Sequence, residues 1–150
     1  PEDPPDARQL GADGEQLKYP GGNWKGTMWQ FVPTTENSYG RAMAEYFDLC
    51  ADTLGFDGIY WDQVSHPGRA TDYGRSDGHA CITSPENWGV EREVALIPLA
   101  SMEYQAQQAV EVLDAGQVLI GNSQPETETM TKIHFPRFVE AVSAGEEEVR

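Results

Sequence analysis

Apolar positions along this chain change spacing several times, and each change marks an element. Between residues 38 and 54, Met43, Tyr46, Phe47, Cys50, Thr53 and Leu54 recur at intervals of three and four, the spacing of one helix face. Asn37 or Ser38 is placed to cap the first turn, and Gly55 stands just past the end, where a left-handed residue is favoured. Residues 56–62 (FDGIYWD) then read as a strand joined tightly to that helix. A second helix is predicted over 98–114, opened by Pro98 and striped by Leu99, Met102, Ala106, Ala109, Val110 and Leu113. Gly116 ends it, and residues 117–121 (QVLIG) form another apolar strand tipped by Asn122. Upstream, 27–32 predicts a short strand stopped by Pro33. Downstream, a polar loop (SQPETETMTK) leads to the extended segment IHFPRFVEAV, in which Pro136 disfavours a regular central strand.

The remaining stretches lack a period. Residues 1–26 are rich in Pro, Gly and Asp and read as a loop or linker, leaving 27–150 as the folded unit. Residues 63–88 read as irregular, and 90–97 as an extended excursion. Strands alternating with helices predict an α/β fold, with a parallel sheet and right-handed crossovers.

Composition narrows the picture. The chain has 150 residues, room for one domain with a core. Twenty-five acids against ten bases give a net charge of −15, a field that repels phosphate backbones and disfavours nucleic-acid partners. A solvated acidic surface explains the scattered acids better than a specific role does. No apolar run approaches the roughly 20 residues of a membrane-spanning helix. Cys50 lies on the first helix's apolar face and Cys81 in a polar stretch, with no metal-type spacing between them. The abrupt start at Pro1 and stop at GEEEVR read as a piece of a longer protein.

One residue asks for chemistry. Along 56–62, Phe56, Gly58, Tyr60 and Asp62 share a face, while Asp57, Ile59 and Trp61 share the other. Asp62 therefore ends an otherwise apolar strand, with Tyr60 one layer below it to support the carboxylate and Trp61 turned toward the helices. Ligands of parallel α/β folds gather at the carboxyl ends of strands, where Asp62, Asn122 and the long loop after Asp62 all fall. Trp29 and Trp88 are the better candidates for stacking on a ligand, and Asp77 and His79 of the DGH triplet are candidates for reaching over the site. Each has a plainer explanation. A strand-end Asp often only caps its loop, Asn is common in turns, and Glu140 would make a simple pair with Arg137. His66, Asp72, Asp77 and His79 match no metal-binding motif, so no metal is assigned. GQVLIGN lacks the order of strand, glycine-rich turn and helix that a nucleotide cofactor needs, and no cofactor is assigned.

The stretch LGFDGIYWDQVSH resembles the fourth-strand signature of (β/α)8-barrel glycoside hydrolases of the α-galactosidase, α-glucosidase and α-amylase type. The helix feeding it, YGRAMAEYFDLCADT, is similar too. The similarity covers roughly residues 27–65 and is architectural beyond that. It implies a partial TIM barrel, strands three through six, with the remainder of the barrel supplied by a longer chain, since a whole barrel takes about 250 residues. It also implies a carbohydrate substrate, Asp62 as nucleophile or stabiliser, and a second carboxylic acid as proton donor. Glu140 stands two strands on, as in the α-galactosidase type. Where the α-amylase type has its second acid, this chain has Asn122, with Glu126 and Glu128 just beyond. Tyr60, Asn122, Trp29, Trp88, Asp77, His79 and Arg137 are the candidate substrate contacts. Many members carry Glu directly after the Asp, and here it is Gln63. Two other readings stay open: a non-catalytic barrel that binds glycans or serves as scaffold, and a metal-dependent hydrolase using the loop's His and Asp residues.

Overall fold

The computed structural model describes residues 4–19, 26–64 and 70–138. Its centre is a three-stranded parallel sheet in the order β3 (Gly58–Trp61), β7 (Val118–Asn122), β8 (Arg137–Phe138). Gly58 lies opposite Val118, Tyr60 opposite Ile120, and Asn122 opposite Phe138. Helix α1 (Ser38–Asp48) precedes β3, α3 (Met102–Asp114) precedes β7, and the short α4 (Glu128–Lys132) precedes β8. The chain is thus α/β with a parallel sheet, as the pattern predicts. The described residues do not close a barrel.

The helix ends follow from local chemistry. Asn37 caps α1: its Oδ1 accepts from Gly40 N–H at 2.8 Å, and its Nδ2 donates to the Val32 carbonyl at 2.6 Å. A π-turn, Leu49–Thr53, follows α1, and Gly55 leaves it at φ +67°. The loop predicted over 123–132 instead contains α4, because Thr127 accepts from Met130 N–H and starts a turn there.

The sheet has one covered face. Val64, Ala109, Val112, Leu119 and Met130 form the core, with Phe47, Ile59, Trp61, Leu113 and Phe135 packed around it. Trp61 meets Phe47 and Tyr104 edge-on at 5.3 and 6.2 Å between ring centroids, so it is turned toward the helices as alternation requires. The buried face of α3 is Tyr104, Gln105, Gln108, Ala109 and Val112. It is rotated from the predicted apolar stripe: Gln105 and Gln108 are buried, Val110 is exposed, and Leu99 falls before the start of α3. The opposite sheet face carries Tyr60, Val118, Ile120 and Phe138, all exposed.

Two stretches are more ordered than their composition predicts. Within 63–88, read as irregular, β4 (Thr71–Asp72) and β5 (Ala80–Thr83) flank β6 (Val90–Leu96) in an antiparallel sheet. From β6 a single turn, α2 (Ile97–Ala100), leads into α3. Within 1–26, read as a linker, Ala7 and Gln9 are fully buried. There β1 (Lys18–Tyr19) pairs antiparallel with β2 (Met28–Trp29). Gln9 N–H donates to the Gln30 carbonyl, and Val32 N–H to the Ala7 carbonyl. The 27–32 strand is therefore shorter than predicted and belongs to an antiparallel ribbon, its backbone partners coming from the segment before it. This N-terminal unit is fastened to the excursion after β3: Leu10 N–H donates to Asp72 at 2.9 Å, Tyr73 N–H to the Leu10 carbonyl, and Gln9 Nε2 to the Thr71 carbonyl.

Candidate functional site

Asp62 follows β3 directly, on the face carrying Tyr60. Its Oδ1 accepts from Asn122 Nδ2 at 2.8 Å and from the Tyr60 hydroxyl at 3.1 Å. The side chain is exposed, and among the described residues no Lys or Arg lies within ion-pair distance of it. Parallel pairing places Asn122 beside Asp62: the β3–β7 register runs without a shift from Gly58–Val118 to Trp61–Gly121, and the next pair along is Asp62 with Asn122. Tyr60 stacks on Phe138 at 6.0 Å, so all three sheet strands contribute to this rim.

The backbone turns sharply after both polar strand ends. Gln63 holds φ +48° and Ser123 φ +125°, conformations that favour glycine, and Val64 N–H donates to the Asn122 carbonyl at 3.1 Å. Strained residues of this kind persist where the surroundings over-determine them, commonly beside ligand sites.

Two hollows meet at Asp62 and share Phe31, Tyr39 and Gln63. One, of about 290 Å³, continues along Tyr19, Met28, Trp29 and Gln30. The other, of about 320 Å³, runs between α1 and α3 past Met43, Phe47, Tyr60, Trp61 and Tyr104. Together they form an aromatic-lined cleft with a carboxylate at its middle, of the size that small-molecule sites occupy. Larger hollows, of about 640 and 690 Å³, border Arg8, Leu10 and Gly14 on the N-terminal segment. Two carboxylates there serve local structure, Asp6 accepting from Ser38 N–H and Asp13 from Glu15 N–H.

The fold brings together Asp62, Tyr60, Asn122 and Trp29 among the residues singled out from sequence. The others lie elsewhere or beyond view. Trp88 sits in the turn between β5 and β6, 79% exposed and at φ +61°. Asp77 accepts from His79 and Ala80 N–H through Oδ1 and from Leu96 N–H through Oδ2, which ties down the start of β5. Although its partial burial acts the other way, these three donors hold the Asp77 carboxyl below the usual range. His79 is exposed beside it, and neither lines the Asp62 cleft. Arg137 is turned to the helix side, donating to the Met130 carbonyl at 3.0 Å and lying 3.8 Å over the Phe135 ring. Partial burial lowers its pKa. Glu128 pairs with Lys132 on the surface of α4. Glu140 and His66 lie outside the described residues.

Sequence reasoning missed Phe31, Tyr39 and Tyr104. Phe31 and Tyr39 bracket Pro33 and meet at 5.1 Å, a pairing of aromatics around a chain reversal that could have drawn attention. Among the described residues, no group of three or more His, Cys, Asp or Glu is arranged to hold a metal ion, and no helix is long and apolar enough to cross a membrane.

Fold and site together define an α/β protein with a carboxylate at the carboxyl end of a parallel strand. Compared with family models, curated proteins and solved structures, the chain finds no match.

Proposed function

We propose that this chain is part of a (β/α)8-barrel glycoside hydrolase, with Asp62 as the nucleophile or electrostatic stabiliser at the anomeric carbon. The observation that carries the reading is the Asp62 carboxylate itself. It is exposed, oriented by two neutral donors, with no cation among the described residues to neutralise it, and set at the middle of an aromatic-lined cleft. Tyr60 and Asn122 fix Oδ1 and leave Oδ2 to face a substrate. Aromatic walls suit the C–H faces of a sugar ring, and Trp29 is the stacking platform on one side. The uncovered apolar face of the parallel sheet supports the barrel, since Tyr60, Val118, Ile120 and Phe138 are what an interior layer would bury.

Glu140 is proposed as the proton donor on its sequence position, two residues beyond Phe138. A non-catalytic glycan-binding protein is the second reading. It is favoured by Gln63 in place of an acid and by Asn122 where a related enzyme type has its second carboxylate. The metal-dependent reading fares worse, because Asp72 and Asp77 are committed to Arg75 and to backbone N–H groups.

Hydrolysis of a panel of 4-nitrophenyl α- and β-glycosides, compared between the parent and Asp62→Asn, tests the proposal. Loss of about a thousandfold or more in kcat/KM, with an unchanged circular-dichroism spectrum, supports it, that being the scale on which losing a nucleophile acts. Sugar binding by two inert proteins would favour the second reading.

A further inference from the structure

We propose that the hollow between β3, α1 and α3 is a binding site for an organic cation, a small alkylated ammonium group held between aromatic walls and the Asp62 carboxylate. This goes beyond the hydrolase reading and rests on the lining of the hollow alone.

Aromatic rings form most of the wall: Phe31, Tyr39, Phe47, Tyr60, Trp61 and Tyr104. Several are braced against one another, Phe31 with Tyr39 at 5.1 Å and Phe47 with Trp61 at 5.3 Å between ring centroids, so little ordering remains for a ligand to impose. Asp62 is the one charged residue among those lining the hollow, and no Lys, Arg or His lines it or the adjoining hollow on the Trp29 side. Lys18, whose ammonium lies 4.5 Å from the Trp29 ring centroid, lines neither. Tyr60 and Asn122 both donate to Asp62 Oδ1, which leaves Oδ2 for an occupant.

That lining discriminates between occupants. An anion is repelled by Asp62 and by the net charge of −15. A neutral hydrocarbon suits the rings but strips water from the carboxylate and gives it no partner. A neutral polyol brings several hydroxyls, while the Tyr60 hydroxyl and the Asn122 amide are already committed to Asp62. An alkylated ammonium asks for no hydrogen bond. It shows apolar methyl surface to the rings and sets its charge against both the aromatic quadrupoles and the carboxylate. The acidic field of the chain also concentrates cations near the opening. At about 320 Å³ the hollow has room for a group the size of choline.

The test titrates choline and its neutral isostere, 3,3-dimethylbutan-1-ol, into the full chain, read by tryptophan fluorescence and calorimetry. Choline is expected to bind saturably, about tenfold more tightly than the alcohol, and to weaken as sodium chloride is raised. Asp62→Asn should lower choline affinity about fivefold, the pair being partly exposed, and leave the alcohol within about twofold. Asp114→Asn removes an exposed acid at the end of α3 and should change neither, which separates the hollow from the general acidity of the chain. Tyr39→Leu should cost about threefold for choline, while Tyr39→Phe keeps the parent affinity. No saturable choline binding, equal affinity for choline and the alcohol, or equal effects of Asp62→Asn and Asp114→Asn would overturn the proposal. Choline binding without hydrolysis of any glycoside keeps this site and sinks the hydrolase reading. Hydrolysis lost in Asp62→Asn, with no choline binding by the parent, does the reverse.

Discussion

Replacing Asp72 by Asn should weaken the junction between the N-terminal unit and the excursion after β3, which supports the Trp29 and Phe31 wall of the cleft. Asp72 is fully buried. Its Oδ1 accepts from Leu10 N–H at 2.9 Å and Gly74 N–H at 2.8 Å, while Oδ2 lies 2.5 Å from Arg75 Nε. That last contact pairs the charges without the alignment of a hydrogen bond, so its value is Coulombic. Arg75 in turn donates through Nη2 to the Arg8 carbonyl at 2.9 Å. An Asn can keep Oδ1 as acceptor for both N–H groups, but its amide then opposes the guanidinium, and a buried cation loses its partner. Removing one member of a buried pair costs about 3–5 kcal/mol. Arg75 keeps 23% of its side-chain surface in water, which places the expected loss near the lower end, about 3 kcal/mol. For a chain of this length that is a fall of roughly 6–12 °C in thermal midpoint. Urea unfolding followed by tryptophan fluorescence should show a lower midpoint at unchanged m. Pairing Asp72→Asn with Arg75→Met should recover part of the loss, because the stranded charge is then gone. A single variant within about 0.5 kcal/mol of the parent, the spread of ordinary surface substitutions, would refute the clamp.

The remaining predictions concern the sheet and the site. A Cβ on Gly58 would fall 2.8 Å from both the carbonyl carbon and the Cβ of Val118, so Gly58→Ala should cost about 1–3 kcal/mol and weaken sugar binding by disturbing the pairing that sets Asp62 against Asn122. Chemical denaturation and titration read the two effects. Asn122→Ala removes the 2.8 Å bond to Asp62 but leaves the one from Tyr60; because Asp62 is exposed and water replaces part of the loss, kcat/KM should fall only about tenfold, against a thousandfold for Asp62→Asn. For Asp77, a folded-state pKa below the unfolded value means its stabilisation is present above the ordinary Asp range and lost as pH falls through it. Urea midpoints of the parent and Asp77→Asn should therefore differ at pH 7 and draw together as pH falls below the ordinary Asp range; a constant difference would refute the assignment.

Much of this architecture is written in local pattern. The cap at Asn37 and the glycines at 55 and 116 each act over a few residues and appear where they were predicted; of the predicted stripe, Met43, Phe47 and Cys50 are half-buried while Tyr46, Thr53 and Leu54 are exposed. The alternation through Gly58, Tyr60 and Asp62 likewise assigns faces, since side-chain direction in a strand depends only on parity. Asp62 was legible for the same reason: a carboxylate closing an apolar strand conflicts with its neighbours, and that conflict is visible in one dimension.

Other features depend on partners far along the chain. Nothing local in residues 4–19 announces that they are folded, because their backbone groups pair with residues 28–32 and with Thr71 and Asp72. The 63–88 stretch looks irregular for the same reason, its strands being defined by β6 rather than by their own composition. Tyr104 shows on the sequence only as one aromatic on a helix. Its burial and its place on the wall shared with Asp62 arise when α1, α3 and the 31–33 segment converge, since a cavity belongs to none of the elements that enclose it. The sequence by itself determined the two long helices, the strand faces and the acid; the tertiary structure alone decided what surrounds that acid.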